Sequence, residues 1–329
     1  MIAAWDYRIG SNGDLPNVID VICKRSTDGG LTWGSQITIS AHTGGSTATT
    51  ANGSGDVCLV TDPSTGRIFA HYLYSPANVG FAQSDNTTST SSTTTVHPCY
   101  RYSDDDGVTW SAQVDIIGSV KTSSMYGIFA ASGHGWAAND GSLLAIPFSY
   151  ITSMGGSTSV IFIAYSTDHG ATWQRGSTTG TNNPGENHVV KLSDGTYLIS
   201  ARPGSGGSRL FFTSSTLTGT WTGTIRTDLP DPSCNNDLIR VDPNDTSIRK
   251  DWLLTSGVSS TASRTNLTVW LSKDNGATWP YAWQVYNVGD AAYSTLVRIA
   301  PDSYGIFWED TTQGIMQFTR FDLSVFKGA

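Results

Sequence analysis

The sequence predicts an all-β chain built as a β-propeller, on three observations. The octet S-x-D-x-G-x-T-W occurs four times, at residues 26–33, 103–110, 166–173 and 272–279. Apolar, strand-like runs precede the copies, as at residues 18–23, 160–165 and 267–271, and alternating or continuous runs of this length read as β-strands. With a fifth, degenerate copy at 214–221, the octets start at residues 26, 103, 166, 214 and 272. That spacing holds four strands and their loops, the size of one propeller blade with insertions.

Each octet is expected to be a hairpin turn. The Asp at its third position can accept from the turn's own N–H groups, the Gly supplies a positive φ, and Thr and Trp pack the returning strand over the loop. In the degenerate copy Thr216 and Thr218 stand where Asp and Gly would be. Further hairpin signals lie between the copies at Asp62–Gly66, Asn139–Gly141 and Ser193–Gly195. Residues 84–96 are a Ser/Thr-rich low-complexity stretch that cannot bury a core and is expected to be a long exposed loop. Residues 204–208 read as a flexible turn. Neither stretch resembles a domain linker, because strand patterns resume at once, so residues 1–329 are expected to be a single propeller domain.

Composition agrees and narrows the partners. Only 14% of the 329 residues are charged, against roughly 25% for an average globular domain, whereas Gly reaches 35 and Trp 11. That composition excludes a coiled coil, a helical bundle and a charged disordered tail. The net charge is −8 and the 19 basic residues are scattered, which argues against nucleic acid or an anionic membrane as the main partner. An anionic ligand must therefore be captured by a local arginine cluster. No stretch reaches the roughly 20 apolar residues of a membrane span, and the N-terminus lacks the basic segment and apolar run of a secretory signal. Cys23, Cys58, Cys99 and Cys234 are far apart, with no CxxC pair and no His at zinc-ligand spacing, so they read as buried small hydrophobes. No metal and no cofactor is expected.

The octet is the Asp box, and the chain from about residue 3 to residue 323 resembles the catalytic domain of the sialidase (neuraminidase) family. The resemblance implies a six-bladed propeller that cleaves terminal sialic acids from sialylated glycans, in a secreted or extracellular setting. Because Asp boxes also occur in propellers without this activity, the resemblance rests on further segments. Residues 3–14 are similar to the family segment that carries a triad arginine and, six positions later, the acid/base aspartate. This implies Arg8 and Asp14, with Asp20 the alternative if the loop is shifted. Residues 184–202 resemble the glutamate strand, hairpin and arginine strand, implying Glu186 and Arg202. Glu186 and Arg202 stand opposite one another across the Ser193–Gly195 hairpin. Residues 264–272 resemble the strand bearing another arginine, Arg264, and residues 292–302 the nucleophile strand, Tyr293. Glu309 resembles the glutamate that orients the family's first arginine.

The resemblance implies a chemistry that these residue types suit. Sialic acid carries a carboxylate on a fully substituted anomeric carbon, so a neutral phenol attacks better than a carboxylate. Glu186 would take the phenolic proton of Tyr293, and Asp14 would protonate the leaving oxygen and then activate water, giving retention. Arg8, Arg202 and Arg264 would hold the substrate carboxylate, each charged hydrogen bond contributing about 1.5–3 kcal/mol. The chain departs from the family by beginning after the strand with an Arg-Ile-Pro motif. One blade is therefore expected to lack its first strand, and the clamp to be short of one arginine. Glu309 would then be wet, or would be met by another arginine, Arg298 and Arg320 being nearest in sequence. Two other readings stay open, a sialidase-fold carbohydrate-binding propeller and a structural or adhesive one. A pure lectin needs the arginines but has no use for Asp14, Glu186 and Tyr293 together.

Overall fold

Inner strands such as Tyr197–Ala201 and Leu253–Val258 are buried at every position, whereas an outer strand such as Thr222–Asp231 is mostly exposed. A computed structural model describes residues 1–180, 182–242 and 249–328. Among these the helical content is one turn at Ile117–Val120 and a short 3₁₀ segment at Leu323–Val325. No helix among the described residues is long and apolar enough to cross a membrane. The chain divides into two compact units, Met1–Thr178 and Thr179–Ala329.

The first unit holds three sheets. Ile2–Arg8, Ile19–Arg25 and Ile37–Ser40 form an antiparallel meander in which Arg8 pairs with Ile19. Ala51–Thr61, Ile68–Ser75, His97–Ser103 and Val114–Asp115 form the second, joined along its inner strand by Gly133–His134 in parallel. The third is built on Leu144–Ile151, Ser159–Ser166 and Gln174–Thr178. The fully buried strand Leu144–Ile151 reads as a near-continuous apolar run because both its faces are covered.

The second unit holds two sheets. Asn187–Lys191, Tyr197–Ala201, Gly207–Ser214 and Thr222–Asp231 form a four-stranded meander. The last sheet has six strands in consecutive order and turns on one 20-residue strand, Tyr281–Ala300. The first half of that strand pairs with Thr265–Ser272 and the second half with Ser303–Asp310. Five hydrogen-bonded sheets are thus present among the described residues, each built on antiparallel neighbours of the kind that make propeller blades.

The four octets fold alike, and each closes a hairpin. In the second copy Ser103 Oγ donates to Asp105 Oδ1 at 2.7 Å and accepts from Gly107 N–H at 2.8 Å. Asp105 then accepts from Thr109 N–H at 2.9 Å and from Thr109 Oγ1 at 2.6 Å. The third and fourth copies repeat these bonds around Asp168 and Asp274. Two successive residues have positive φ, Asp106 and Gly107 in one copy and His169 and Gly170 in the next, so the turn is tighter than a single glycine would make it. Gly170 is required for room as well, since a Cβ there would lie 2.1 Å from Phe69 Cζ. In the degenerate copy Ser214 Oγ donates to the Thr216 carbonyl instead, yet Trp221 is still buried.

Two loops differ from expectation at their ends. The 84–96 stretch is exposed in its middle, but Ser84, Thr95 and Val96 are buried. The buried Lys121 fixes the loop by donating from Nζ to the Asp85 carbonyl and to Thr95 Oγ1. Asp85 N–H donates to the Thr94 carbonyl at 3.0 Å and closes the loop on itself, which composition does not reveal. In the 204–208 turn, Gly207 and Ser208 already pair with Asp231 and Pro230 as strand. All four cysteines are buried and none is in a disulfide.

Candidate active site

The second unit gathers five charged or phenolic side chains, Glu186, Arg202, Arg264, Tyr293 and Glu309, from three separate stretches of sequence. Glu186 and Arg202 flank the strand pair Asn187–Lys191 and Tyr197–Ala201, in which Asn187 faces Ala201. The tight turn at Leu192–Thr196, with Gly195 at φ 91°, sets that register. Backbone bonds extend the ladder one step further, Arg202 N–H to the Glu186 carbonyl at 2.8 Å and Gly185 N–H to the Arg202 carbonyl at 2.9 Å. Both side chains therefore leave the same end of one sheet. Arg202 Nη1 donates to Glu186 Oε1 and Oε2, each at 2.9 Å.

Tyr293 reaches this pair through a β-bulge. Ala291 pairs with Asp310 and Ser294 with Trp308, so Ala292 and Tyr293 together oppose Glu309. A bulge of this kind leaves a residue unpaired and re-aims its side chain. The Tyr293 N–H is met by Glu309 Oε2 at 3.3 Å. The Tyr293 hydroxyl makes a short hydrogen bond to Glu186 Oε1 and accepts from Arg202 Nη1 at 3.0 Å. One carboxylate oxygen, one phenol and one guanidinium nitrogen thus meet at a single point.

Burial and charge set the protonation there. Burial pushes the Tyr293 phenol well above its usual range and the adjacent Glu186 charge adds to this, while Arg202 opposes both. The phenol is consequently protonated at neutral pH, with a carboxylate in place to receive its proton. Burial alone would lower the Arg202 guanidinium, but Glu186 and Tyr293 outweigh it, and the group is held above its usual value. Cys234 lies close by, and burial pushes its thiol up to about 12 in spite of Arg264 and Arg202. It stays a thiol, which removes it as a competing nucleophile.

Arg264 is exposed and projects its guanidinium over the Tyr293 ring, 5.5 Å from the centroid. Its carbonyl accepts from Ala291 N–H at 2.8 Å, which ties it to the strand that carries Tyr293. Glu309 is half-buried, and its Oε2 accepts from the Tyr293 N–H at 3.3 Å. Arg298 is committed elsewhere, to Asp242 at 2.9 Å. Arg320 is exposed and pairs in register with Gly305, whereas Glu309 pairs with Met316.

In the first unit Arg8 and Asp14 bind each other. Arg8 Nη2 lies 2.7 Å from Asp14 Oδ1, and Arg8 Nη1 donates to the Asn12 carbonyl at 2.6 Å. Burial works against the Arg8 charge, but Asp14 and Asp6 more than offset it and raise the group. The Asp14 side chain is 87% exposed, so it is open to an incoming ligand. Asp20 is occupied differently, accepting from the His42 N–H at 2.6 Å and lying 2.7 Å from His42 Nδ1. That makes it a loop anchor.

Sequence reasoning missed the segment 231–234 behind Arg202. Ser233 Oγ accepts from Arg202 Nε at 3.0 Å, and Asp231 is buried against Arg209. The only signal in the sequence was a polar run, Asp231 to Asp237, in a place where strands are expected on both sides.

Comparison with known proteins bears on this arrangement. The model of the BNR repeat-like domain matches residues 1–304. A sialidase of Micromonospora viridifaciens is 34% identical over 332 residues, covering 98% of this chain and 50% of that protein. A sialidase of Bacteroides fragilis is 30% identical over 318 residues, covering 94% of this chain and 58% of that one. The chain thus spans about half the length of the curated relatives it matches. Among solved structures a Hadza microbial sialidase superposes with a TM-score of 0.88 at 30% identity, over 99% of this chain and 63% of that chain. The intramolecular trans-sialidase of Ruminococcus gnavus, solved with oseltamivir carboxylate, matches at a TM-score of 0.85 over 100% of this chain and 93% of that chain. At 17% identity it speaks for the fold alone. Repeated turns, meander sheets and a match over nearly the whole length converge, and the chain belongs to the BNR repeat-like domain family, with sialidases as its similar proteins.

Proposed function

We propose that this chain is a retaining exo-α-sialidase acting on terminal sialic acids of glycoconjugates, with Tyr293 as nucleophile. The observation that carries the reading is the hydrogen bond from the hydroxyl of the half-buried Tyr293 to the buried Glu186, made beside Arg202. A half-buried phenol on a buried carboxylate is what attack at a carbon already bearing a carboxylate calls for. As the phenolic oxygen bonds to the anomeric carbon, its proton passes to Glu186 and the glycosidic oxygen leaves with a proton from Asp14. Asp14 then takes a proton from water, the water oxygen displaces the tyrosyl oxygen, and Glu186 returns the proton to Tyr293. Two displacements give net retention.

The substrate carboxylate is read by Arg8, Arg202 and Arg264. Arg202 uses Nε and Nη1 for Ser233, Glu186 and Tyr293, and among the described residues its Nη2 makes no hydrogen bond. That donor suits the ligand. In this reading the 20-residue strand joins two blades, so that the five sheets make six blades, and the octets are Asp boxes that serve the turns. The test is release of aglycone from a fluorogenic α-sialoside, beside Tyr293→Phe. NMR of the first product should show the α-anomer of the free sugar. Turnover by Tyr293→Phe close to that of the unaltered protein would overturn the mechanism, and absence of turnover in the unaltered protein would favour a carbohydrate-binding propeller.

A further inference from the structure

Arg202 is the cation on which the proposed site turns, and it is held from behind by groups that touch neither Tyr293 nor Glu186. Its Nε donates to Ser233 Oγ at 3.0 Å, and that hydroxyl in turn donates to the Pro203 carbonyl at 2.9 Å. With its own proton on the Pro203 carbonyl, Ser233 Oγ presents a lone pair to the guanidinium. The cost is backbone strain, because Ser233 has φ 69°, a region that a non-glycine residue rarely adopts. Strain at a single non-glycine residue persists only where the surroundings over-determine it.

The surroundings are a buried ion pair. Arg209 Nη1 lies 2.6 Å from Asp231 Oδ2, with side chains 1% and 5% exposed. The same nitrogen donates to the Cys234 carbonyl at 2.8 Å, and Asp231 Oδ1 accepts from the Cys234 N–H at 2.8 Å. Both ends of the short turn 231–234 are therefore clasped. Arg209 Nε reaches back to Ser200 Oγ at 3.0 Å, two residues before Arg202 on its own strand. Among the described residues the buried Arg209 Nη2 has no hydrogen-bond partner, so the pair is not an efficient stabiliser. Buried ion pairs contribute little net stability compared with apolar residues of the same size, whereas they fix geometry well.

We propose that Arg209, Asp231 and Ser233 form a positioning brace that sets the Arg202 guanidinium against Tyr293 and Glu186. Ser233 is the contact point, and the ion pair holds the strained turn that presents it. This deepens the sialidase reading and rests on it for its catalytic consequence. The geometric claim can be read without turnover.

The test compares Ser233→Gly with the unaltered chain. Glycine accepts the left-handed backbone freely, so the variant should melt at the same temperature or higher. It removes the hydroxyl that Arg202 Nε–H occupies. Solvent exchange of the Arg202 Nε–H proton, followed by NMR, should accelerate at least about tenfold, and kcat on a fluorogenic sialoside should fall roughly tenfold to a hundredfold. Stability held or raised with activity lost is a combination that a merely structural serine does not produce. Arg209→Met paired with Asp231→Leu, which leaves no unpaired buried charge, should give the same exchange result. Unchanged Nε–H exchange and unchanged kcat in Ser233→Gly would overturn the brace. If the unaltered protein cleaves no sialoside, the sialidase reading fails while the exchange measurement still decides the brace.

Discussion

The Arg8–Asp14 pair and the Arg202–Glu186 pair are made of the same chemistry at nearly the same distance, 2.7 Å and 2.9 Å, yet they are different devices. Asp14 is 87% exposed, whereas the Glu186 side chain is 10% exposed and shares its oxygen with a phenol. An exposed pair is solvated and worth about 0–1 kcal/mol, so it can open for a ligand at little cost. A buried pair with a third partner is rigid, and breaking it leaves an uncompensated charge. The proposed mechanism needs both behaviours, a mobile acid that turns between leaving group and water and a fixed nucleophile on its base.

The largest expected effect is on the buried side. Tyr293→Phe should lower kcat on a fluorogenic sialoside by about a thousandfold or more, with the melting temperature nearly unchanged, because it deletes only a hydroxyl from a ring that still packs. Glu186→Gln should lose as much turnover and also loosen Arg202, which circular dichroism melting would register as a lower midpoint. Equal stability in the two variants would break the view that the pair is a rigid unit.

Asp14→Ala sharpens the other side. On a natural sialyl disaccharide, whose leaving oxygen needs a proton, kcat should fall roughly a hundredfold or more. On an aryl sialoside with a good leaving group the loss should be much smaller, and the change in stability should stay within about 1 kcal/mol. Equal losses on both substrates would deny Asp14 its role as acid. Arg264→Ala comes next. It should raise KM by about tenfold or more, since one charged hydrogen bond to the substrate is lost, with kcat changed less. A large kcat defect at constant KM would show that its place over the Tyr293 ring matters more than the substrate carboxylate.

The smallest effect concerns a buried group in the unit that carries Arg8 and Asp14. His71 is fully buried, neither ring nitrogen is hydrogen-bonded among the described residues, and its ring lies 4.4 Å from that of Trp173, between centroids. Burial lowers it from 6.5 to about 3. The folded chain therefore binds fewer protons than the unfolded chain between these values. The contribution is fully present above about pH 6.5 and is lost progressively as pH falls toward 3. Melting temperature should decline over that window, and His71→Leu should flatten the decline. An identical acid profile in the variant would assign the acid sensitivity to other groups.

Much of this was legible in one dimension because the causes are local. An octet with Ser, Asp, Gly and Thr at fixed offsets closes the same hydrogen bonds wherever it occurs, and a hairpin of five residues sets Glu186 opposite Arg202 without reference to the rest of the chain. The sequence could not show that Tyr293 stands on a bulge, because a bulge is a mismatch between two strands and belongs to neither. Nor could it show that Glu309 meets the backbone amide exposed by that bulge, that Lys121 holds the ends of a Ser/Thr-rich loop, or that Ser233 takes a left-handed turn under Arg202. Residue types and the order of strands were determined by the chain itself, through turn chemistry and periodicity that act within a few residues. Burial of Glu186, the raised phenol of Tyr293 and the clasp of Arg209 on Asp231 were decided only by tertiary structure, because desolvation and charge pairing depend on which distant segments exclude water from the same point.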